Sequence, residues 1–365
     1  KMIGAAPIIL RTILTLRVPA CTPRTQSISF IGTVESSRQI QSKRAYGPHF
    51  SECAMECQRG THLSSFDTSR LVHSQSRRML NLSTRSMSTT PQSTPEEGGM
   101  TAAQKRNADD AAVCVIVGGG RGIGLAMIEE MLHRFRGHIL VTARDPWSSP
   151  ALLDLKEKNE DRITLVAMDV TNEESVQEAA SKASNRGRVD LLLNTAGILH
   201  DQNEPTSKGM MPERQLSELT QEWFLHNMQV NCMGPLLLLK HFQPLLVSPR
   251  SSPRPFSVFA SLSARVGSIE DNRLGGWYSY RVSKAAHNQL LRTASVELAR
   301  RGVVVVALHP GTVNTGLSEP FQARVKPEKL FPASHSASML LDVVESLSAS
   351  DTGSFFAYDR SSIPW

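Results

Sequence analysis

From residue 113 to the end of the chain, short runs of β-branched residues alternate with longer segments of helical periodicity. The strand-like runs cover residues 113–117, 138–142, 163–168, 189–193, 256–260, 303–308 and 354–358. The helical patterns cover residues 123–135, 173–186, 216–246, 280–300 and 334–347. Such alternation is typical of right-handed βαβ units, in which helices cover both faces of a parallel sheet and the strands are apolar throughout. The pattern predicts one doubly wound α/β domain with a seven-stranded parallel sheet over residues 111–365.

Residues 1–110 differ from this domain in composition. Residues 1–95 are rich in Ser and Thr and carry 12 Lys or Arg against four Asp or Glu, whereas the rest of the chain carries 28 basic and 30 acidic residues. This composition is typical of a transit peptide, and an ordinary disordered extension is the alternative. We expect a disordered leader that directs the protein to an organelle matrix, with mitochondria favoured over plastids because Arg outnumbers Lys. If the leader is not a targeting signal, the protein is expected in the cytoplasm.

The same composition excludes several partners and sites. Because the basic excess belongs to the leader, the nearly neutral domain has no broad positive field for nucleic acid. The apolar stretch at residues 2–16 is too short to span a membrane, and Pro7 and Arg11 interrupt it. The domain has two cysteines, Cys114 and Cys232, which are expected to be reduced. No His or Cys cluster has the spacing of a metal site.

A glycine-rich segment joins the first strand to the first helix. It consists of Gly118, Gly119, Gly120, Arg121, Gly122, Ile123 and Gly124. Glycines let the backbone turn tightly and approach a ligand, and free N–H groups at a helix start attract anions such as a pyrophosphate. The segment therefore predicts a dinucleotide site, with a turn that only permits close packing as the alternative.

The end of the second strand indicates which dinucleotide is bound. An acid there accepts hydrogen bonds from the adenosine ribose, whereas a cation pairs with a 2′-phosphate. Arg144 follows this strand and Arg121 lies in the glycine segment, so NADP(H) is the preferred cofactor. Asp145 comes next and keeps NAD(H) possible. The alternative is that both arginines are ordinary solvated loop residues.

Tyr280 and Lys284 lie at the start of a predicted long helix. Side chains four residues apart share one helix face, so the Lys284 ammonium is expected near the phenol, where it would lower the phenol's pKa. Without such help, a phenol with a pKa of about 10 is a poor acid–base group at neutral pH. The pair is common, but its position about 160 residues after the glycine segment favours a catalytic role.

In this order the motifs resemble those of the short-chain dehydrogenase/reductase family, over about residues 112–365. The resemblance implies a Rossmann-type sheet with strand order 3-2-1-4-5-6-7. Two residues depart from the family pattern: Val117 replaces a Thr before the glycines, and Thr195 replaces an Asn in the turn after the fourth strand. The implied cofactor-binding residues are Gly118, Gly120, Arg121, Gly122, Ile123, Gly124, Arg144, Asp169, Val170, Asn194, Ala196, Gly197, Tyr280, Lys284, Pro310, Gly311, Val313 and Thr315.

The resemblance also implies a catalytic tetrad of Asn231, Ser263, Tyr280 and Lys284. Tyr280 would donate a proton and Lys284 would assist it and hold the nicotinamide ribose. Ser263 would orient the substrate carbonyl, and Asn231 would maintain a proton relay.

The identity of the serine is open on sequence grounds. Ser263 is the first choice and Ser261 the weaker candidate. An ungapped alignment from Gly267 instead places Ala264 at the family's serine position.

Within the family, residues 263–278 are most similar to C-factor-like and sniffer-like carbonyl reductases. The implied activity is NADP(H)-dependent interconversion of a ketone, aldehyde or quinone and an alcohol, by a homodimer or homotetramer without a metal. The competing hypothesis is a C-factor-like signalling or interaction protein that binds NADP(H) with little turnover. Epimerisation or dehydration on the same frame is a third hypothesis.

Overall fold

The computed structural model describes residues 100–201, 211–247, 252 and 254–365. Residues 1–99 of the predicted leader, with the expected targeting signal, lie outside these described residues. Within the described ranges, none of the helices combines the length and the apolar character needed to cross a bilayer.

Seven parallel strands form the central sheet. They are β1 (Val113–Val117), β2 (His138–Ala143), β3 (Ile163–Ala167), β4 (Leu191–Asn194), β5 (Ser257–Leu262), β6 (Val303–His309) and β9 (Phe355–Ala357). Their order, β3-β2-β1-β4-β5-β6-β9, confirms the predicted topology. The last strand is the ninth in chain order because β7 (Thr312–Val313) and β8 (Leu330–Phe331) form a separate two-stranded sheet before it.

Helices cover both faces of the sheet, as the continuous apolar strands predict. The helices are α1 (Ala102–Asn107), α2 (Gly122–Arg134), α3 (Pro150–Lys158), α4 (Glu173–Ser184), α5 (Gln221–Met228), α6 (Gly234–Leu246), α7 (Tyr278–Leu298) and α8 (Ala333–Glu345). One buried core lies between the sheet and α2, α3 and α8. The other lies between the sheet and α4, α6 and α7. The site residues lie at the carboxyl ends of the strands, above these two cores.

The prediction of one continuous helix over residues 216–246 is wrong. A π-helical turn, Gln229–Met233, separates α5 from α6. The physical reason is Pro235, which has no N–H to donate to the carbonyl of Asn231 in the α-helical pattern. Asn231 therefore lies at a break in the helix.

Two helices were not predicted from the hydrophobic pattern. Residues 102–107 were assigned to the leader but form α1, where the Thr101 hydroxyl and the Gln104 side chain make a reciprocal capping box. The folded unit therefore begins before residue 111. Helix α3 is short, and its sequence signal is the Ser149 cap followed by Pro150 in the first turn.

Candidate active site

The glycine segment turns sharply between β1 and α2. Gly118 and Gly122 have φ angles of 83° and 57°, a region that favours glycine. The N–H groups of Gly118 and Gly119 donate to the Thr142 carbonyl at 2.9 and 3.0 Å, which fixes the turn beside the end of β2. A Cβ at Gly124 would lie 2.3 Å from the Gly118 carbonyl oxygen. The turn therefore requires glycine at positions 118, 122 and 124.

The start of α2 has the features of a phosphate cradle. Arg121 occupies the N-cap without a side-chain cap of its own. The first-turn N–H groups of a helix have no intrahelical acceptor, so those of Gly122, Ile123 and Gly124 can bind an anion. Beside this turn, a Cβ at Gly120 would lie 3.4 Å from the Ala143 methyl group. The residues present thus fit a dinucleotide pyrophosphate.

Thr195 braces the glycine segment from the neighbouring strand. Its hydroxyl donates to the Val117 carbonyl at 2.7 Å and lies 3.3 Å from the Gly118 carbonyl oxygen. A Cβ at Gly124 would come within 2.6 Å of this hydroxyl oxygen. The hydroxyl on the loop after β4 thus holds the start of the glycine segment, a role that the sequence pattern did not reveal.

Replacing Thr195 with valine should lower the free energy of unfolding by about 1 kcal/mol, because one hydrogen bond is lost at nearly constant shape. NADPH binding should weaken as well, because the glycine segment loses its brace. Denaturant unfolding and NADPH fluorescence titration measure the two effects. Thr293→Val, on the exposed surface of α7, is the matched control. Equal effects of the two substitutions would contradict the brace.

Two arginines lie at the predicted 2′-phosphate position. Arg121 and Arg144 are exposed, and neither forms an ion pair with another described residue. Asp145, the possible ribose acceptor, instead accepts the Trp147 N–H at 3.1 Å and caps a short 3-10 helix. Both cations are thus available to a ligand, while the acid already has a structural partner.

Asp169 and Val170 follow β3. The Asp169 carboxylate accepts the Thr171 N–H at 2.8 Å and the Thr171 hydroxyl at 2.7 Å, so it shapes its own turn. Val170 is buried and would lie 3.0 Å from a Cβ at Gly234. Their contact with adenine stays a prediction.

The turn after β4 joins the sheet to the site. The Asn194 amide donates to the Ser261 hydroxyl at 2.9 Å, and its oxygen accepts the Ala196 N–H at 3.1 Å. A Cβ at Gly197 would lie 3.2 Å from Asn231 Oδ1 and 3.4 Å from Lys284 Nζ. Gly197 therefore leaves a narrow space in front of two predicted catalytic residues.

Tyr280 and Lys284 share one face of α7, as predicted. The Lys284 ammonium lies 5.9 Å from the centroid of the Tyr280 ring and donates to the Leu262 carbonyl at 3.0 Å. Both side chains are buried, with 7% and 4% of their surfaces exposed. The pair thus lies at the end of β5, beside the space at Gly197.

The sequence predicts that Lys284 lowers the pKa of the Tyr280 phenol, and the direction of this predicted shift is wrong. Burial raises the pKa of the phenol well above its usual value. Burial also lowers the pKa of Lys284 from its usual 10.5 to about 8, so the lysine holds its charge weakly. A phenol with a raised pKa stays protonated at neutral pH, which suits a proton donor.

The Lys284 shift predicts opposite pH effects on stability and turnover. The folded chain binds fewer protons at this site than the unfolded chain between pH of about 8 and 10.5, so this residue makes the free energy of unfolding rise with pH there. Over the same interval the ammonium is lost, so kcat/KM for carbonyl reduction should fall above pH about 8. Lys284→Met should remove this stability gradient, as followed by denaturant titration. An unchanged gradient in that variant would contradict the assignment.

Asn231 is fully engaged inside the protein. Its amide group accepts from the Ile198 N–H at 2.9 Å and donates to the Ile198 carbonyl at 3.0 Å. It also donates to the Ser283 hydroxyl at 3.1 Å. These bonds tie the π-helical turn to α7 and to the loop after β4, so Asn231 holds the surroundings of Lys284 together.

The two candidate serines both point towards α7. The Ser261 hydroxyl lies 2.9 Å from His287 Nε2 and accepts from Asn194, so it is a buried structural group. The Ser263 hydroxyl donates to the Asn288 amide oxygen at 2.6 Å and makes no hydrogen bond to Tyr280. Ala264, half-buried, precedes the short helix Arg265–Gly267. The Ser263 hydroxyl is therefore already bonded to α7, and its role in orienting the substrate carbonyl stays a prediction.

The segment after β6 approaches the glycine segment. Gly311 has a φ of 80°, and a Cβ there would lie 2.8 Å from the Phe331 ring. The Pro310 carbonyl accepts from the Ser336 hydroxyl at 2.8 Å, and Val313 is buried. A Cβ at Gly122 would lie 3.3 Å from the Thr315 methyl group. Thr315 thus lies beside the glycine segment, and Thr312 is exposed. Contact of the four predicted residues of this segment with the cofactor stays a prediction.

A chain of aromatic rings begins beside the phenol. Trp277 lies 6.2 Å from the Tyr280 ring and 5.0 Å from the Phe321 ring, measured between centroids. Phe321 in turn lies 6.2 Å from the ring of His200. Leu199 is buried, whereas Leu317 is exposed. An aromatic cluster therefore adjoins the Tyr280 ring.

The chain is similar in sequence and fold to known oxidoreductases. The sequence profile of the short chain dehydrogenases matches residues 112–326, more than half of the chain. An uncharacterised oxidoreductase of Schizosaccharomyces pombe is 30% identical over 264 residues, which cover 69% of this chain and 97% of that protein. The C-signal protein of Myxococcus xanthus is 31% identical over 179 residues, which cover 49% of this chain and 94% of that protein.

A solved structure has the same fold. The NADPH-bound carbonyl reductase from chicken fatty liver is 26% identical, with a TM-score of 0.60, and the match covers 70% of this chain and 99% of that one. Together with the C-signal match, this confirms the predicted similarity to C-factor-like proteins and carbonyl reductases. The chain is an NAD(P)-dependent oxidoreductase of the short-chain dehydrogenase/reductase family.

Proposed function

We propose that the protein is an NADPH-dependent carbonyl reductase that converts a ketone, aldehyde or quinone to an alcohol. The observation that carries the proposal is the buried Tyr280–Lys284 pair on one face of α7, beside the space at Gly197. The glycine segment opens towards the same edge of the sheet. A proton donor and a dinucleotide cradle thus share one site.

In this function, bound NADPH supplies the hydride. The N–H groups at the start of α2 would hold the pyrophosphate, and Thr195 keeps that turn in place. Lys284 would hold the nicotinamide ribose, and Tyr280 would give its phenol proton to the carbonyl oxygen that becomes the alcohol. Asn231 fixes the backbone around Lys284, and Trp277 packs beside the buried phenol ring.

The preference for NADP(H) rests on charge at the end of β2. Arg121 and Arg144 are exposed and free of acidic partners among the described residues, so a 2′-phosphate can pair with either. The capping role of Asp145 weakens the case for NAD(H). The NADPH-bound carbonyl reductase from chicken supports the same preference.

A second candidate function is NADP(H)-dependent signalling with little turnover. The observation in its favour is the direction of Ser263, whose hydroxyl is used by Asn288, with Ala264 beside it. A site with a single carbonyl donor orients its substrate poorly. The similarity to the C-signal protein is compatible with this candidate.

NADPH consumption distinguishes the two candidates. The protein trimmed near residue 98 is mixed with menadione, nitrobenzaldehyde or cyclohexanone, and absorbance of NADPH is followed. Turnover that depends on Tyr280 supports the reductase. NADPH binding without oxidation across the three compound classes would support the signalling protein. Substrate conversion without net NADPH consumption would indicate epimerisation or dehydration.

A further inference from the structure

Helix α7 begins without a cap of its own. The N-cap residue, Trp277, makes no side-chain hydrogen bond to the first turn and has a φ of 54°. The first N–H groups of any helix lack intrahelical acceptors, and leaving such groups buried without partners is costly. Because Tyr280 lies in this first turn, its position depends on how these groups are held.

A carboxylate from a distant part of the chain supplies the missing cap. Glu213 Oε2 accepts the Ser279 N–H at 3.1 Å, and Oε1 accepts the Ser279 hydroxyl. The peptide oxygen of Glu213 also accepts the Trp277 N–H. Glu213 thus holds both neighbours of Tyr278, Trp277 and Ser279, and the second of these lies 66 positions further along the chain.

The Glu213 carboxylate is buried beside the residue that precedes Tyr280. Glu213 is 3% exposed, and burial of a carboxylate is unfavourable unless its oxygens are hydrogen-bonded. Both oxygens are bonded here, and the negative charge lies at the positive end of the α7 dipole. Tyr280, the predicted proton donor, directly follows Ser279 in the chain.

The backbone before α7 is fitted closely around Glu213. Gly275 and Gly276 both have a φ of 64°, so three successive residues up to Trp277 are left-handed. A non-glycine residue in this region costs roughly 1 kcal/mol or more, which surrounding contacts must offset. A Cβ at Gly276 would lie 3.4 Å from the carbonyl oxygens of Glu213 and Arg214. This conformation directs the Trp277 ring towards Tyr280.

We propose that Glu213 is a positioning residue, which holds the first turn of α7 through Ser279 and Trp277 and so fixes the direction of the Tyr280 phenol. The inference rests on the proposed function, in which Tyr280 donates the proton. Loss of the carboxylate frees two donors of Ser279 and loosens the turn. Small displacements of a reacting group are enough to slow a reaction strongly.

Three variants test the proposal with nitrobenzaldehyde and saturating NADPH. Glu213→Ala removes both bonds to Ser279, Ser279→Ala removes one, and Glu213→Gln keeps an acceptor for the N–H and a polar partner for the hydroxyl. Ser295→Ala is the control, since its buried hydroxyl bonds within α7 about 22 Å along the helix from Tyr280. For each protein we measure kcat, the NADPH dissociation constant and the melting temperature. Isotope effects on kcat are measured in deuterated solvent and with deuterated NADPH.

For Glu213→Ala we expect kcat to fall about 10-fold to 100-fold, because the phenol is misaligned. The solvent isotope effect should rise, since proton transfer becomes slower, while the NADPH dissociation constant stays within about twofold. Glu213→Gln should recover most of kcat and Ser279→Ala should be intermediate. Ser295→Ala should change only the melting temperature. If Glu213→Ala does not fold, a raised solvent isotope effect in Ser279→Ala carries the same prediction.

Any of three results would overturn the proposal. A fall in kcat with both isotope effects unchanged would mean that Glu213 only maintains the amount of folded enzyme. A Glu213→Gln variant as slow as Glu213→Ala would mean that charge, not position, matters. Full turnover in Tyr280→Phe would instead remove the proposed function itself, whereas an inactive Tyr280→Phe with normal Glu213→Ala would remove only this inference.

Discussion

Tyr280→Phe is expected to reduce NADPH-dependent carbonyl reduction by about 10²-fold to 10⁴-fold, the usual contribution of a positioned proton donor. The change removes one oxygen atom from a buried ring and leaves the ring's packing against Trp277 intact. NADPH binding should therefore stay within about twofold of the unchanged protein, because the glycine segment and Lys284 are untouched. Steady-state rates and fluorescence titration of NADPH measure the two quantities.

The matched control for this variant is Tyr278→Phe. Tyr278 lies two residues earlier on α7, is half-buried, and has no predicted contact with substrate. It should retain the rate of the unchanged protein. If Tyr278→Phe and Tyr280→Phe have the same rate, Tyr280 is not the proton donor.

The double variant Arg121→Gln, Arg144→Gln is expected to weaken NADPH binding by about 100-fold or more. A hydrogen bond to a charged group contributes about 1.5–3 kcal/mol, and each 1.4 kcal/mol is a tenfold change in the dissociation constant. NADH lacks the 2′-phosphate, so its binding should change little. The ratio of the two dissociation constants, measured by fluorescence titration, checks the assignment.

Arg136→Gln is the control for the charge change. Arg136 is exposed and pairs with Asp110. It precedes β2, whereas Arg144 follows β2, so the two arginines lie at opposite ends of this strand. Its loss should leave both dissociation constants unchanged. A double variant that binds NADPH and NADH as tightly as before would show that the two arginines are ordinary surface residues.

The fold was predictable because the alternation of apolar strand runs and helical periods is a local pattern that repeats along the chain. Most strands of the sheet are short apolar runs that are buried on both faces, and such runs are distinct from the helical periodicity between them. The errors have local causes. Helix α3 has nine residues, too few for a clear period, and the break before Gly234 depends on Pro235 within an apolar pattern that continues through it.

The sequence predicted which residues form the candidate site and at which strand ends they lie. It did not predict most of the hydrogen bonds between them. The sequence places Tyr280 and Lys284 on one helix face, and the structure has them there. The sequence pattern does not show that burial raises the pKa of the Tyr280 phenol. Nor does it show that the Ser263 hydroxyl bonds to Asn288. Glu213 was missed because its partner lies 66 residues away and no local motif links the two.

The brace of the glycine segment links two loops of the site. Val117 pairs with Asn194 in the sheet, and the Thr195 hydroxyl donates to the Val117 carbonyl just beyond that pair. The same hydroxyl oxygen lies within 2.6 Å of the position that a Cβ at Gly124 would take. A substitution in the loop after β4 is therefore expected to disturb dinucleotide binding at a distance, through the first turn of α2.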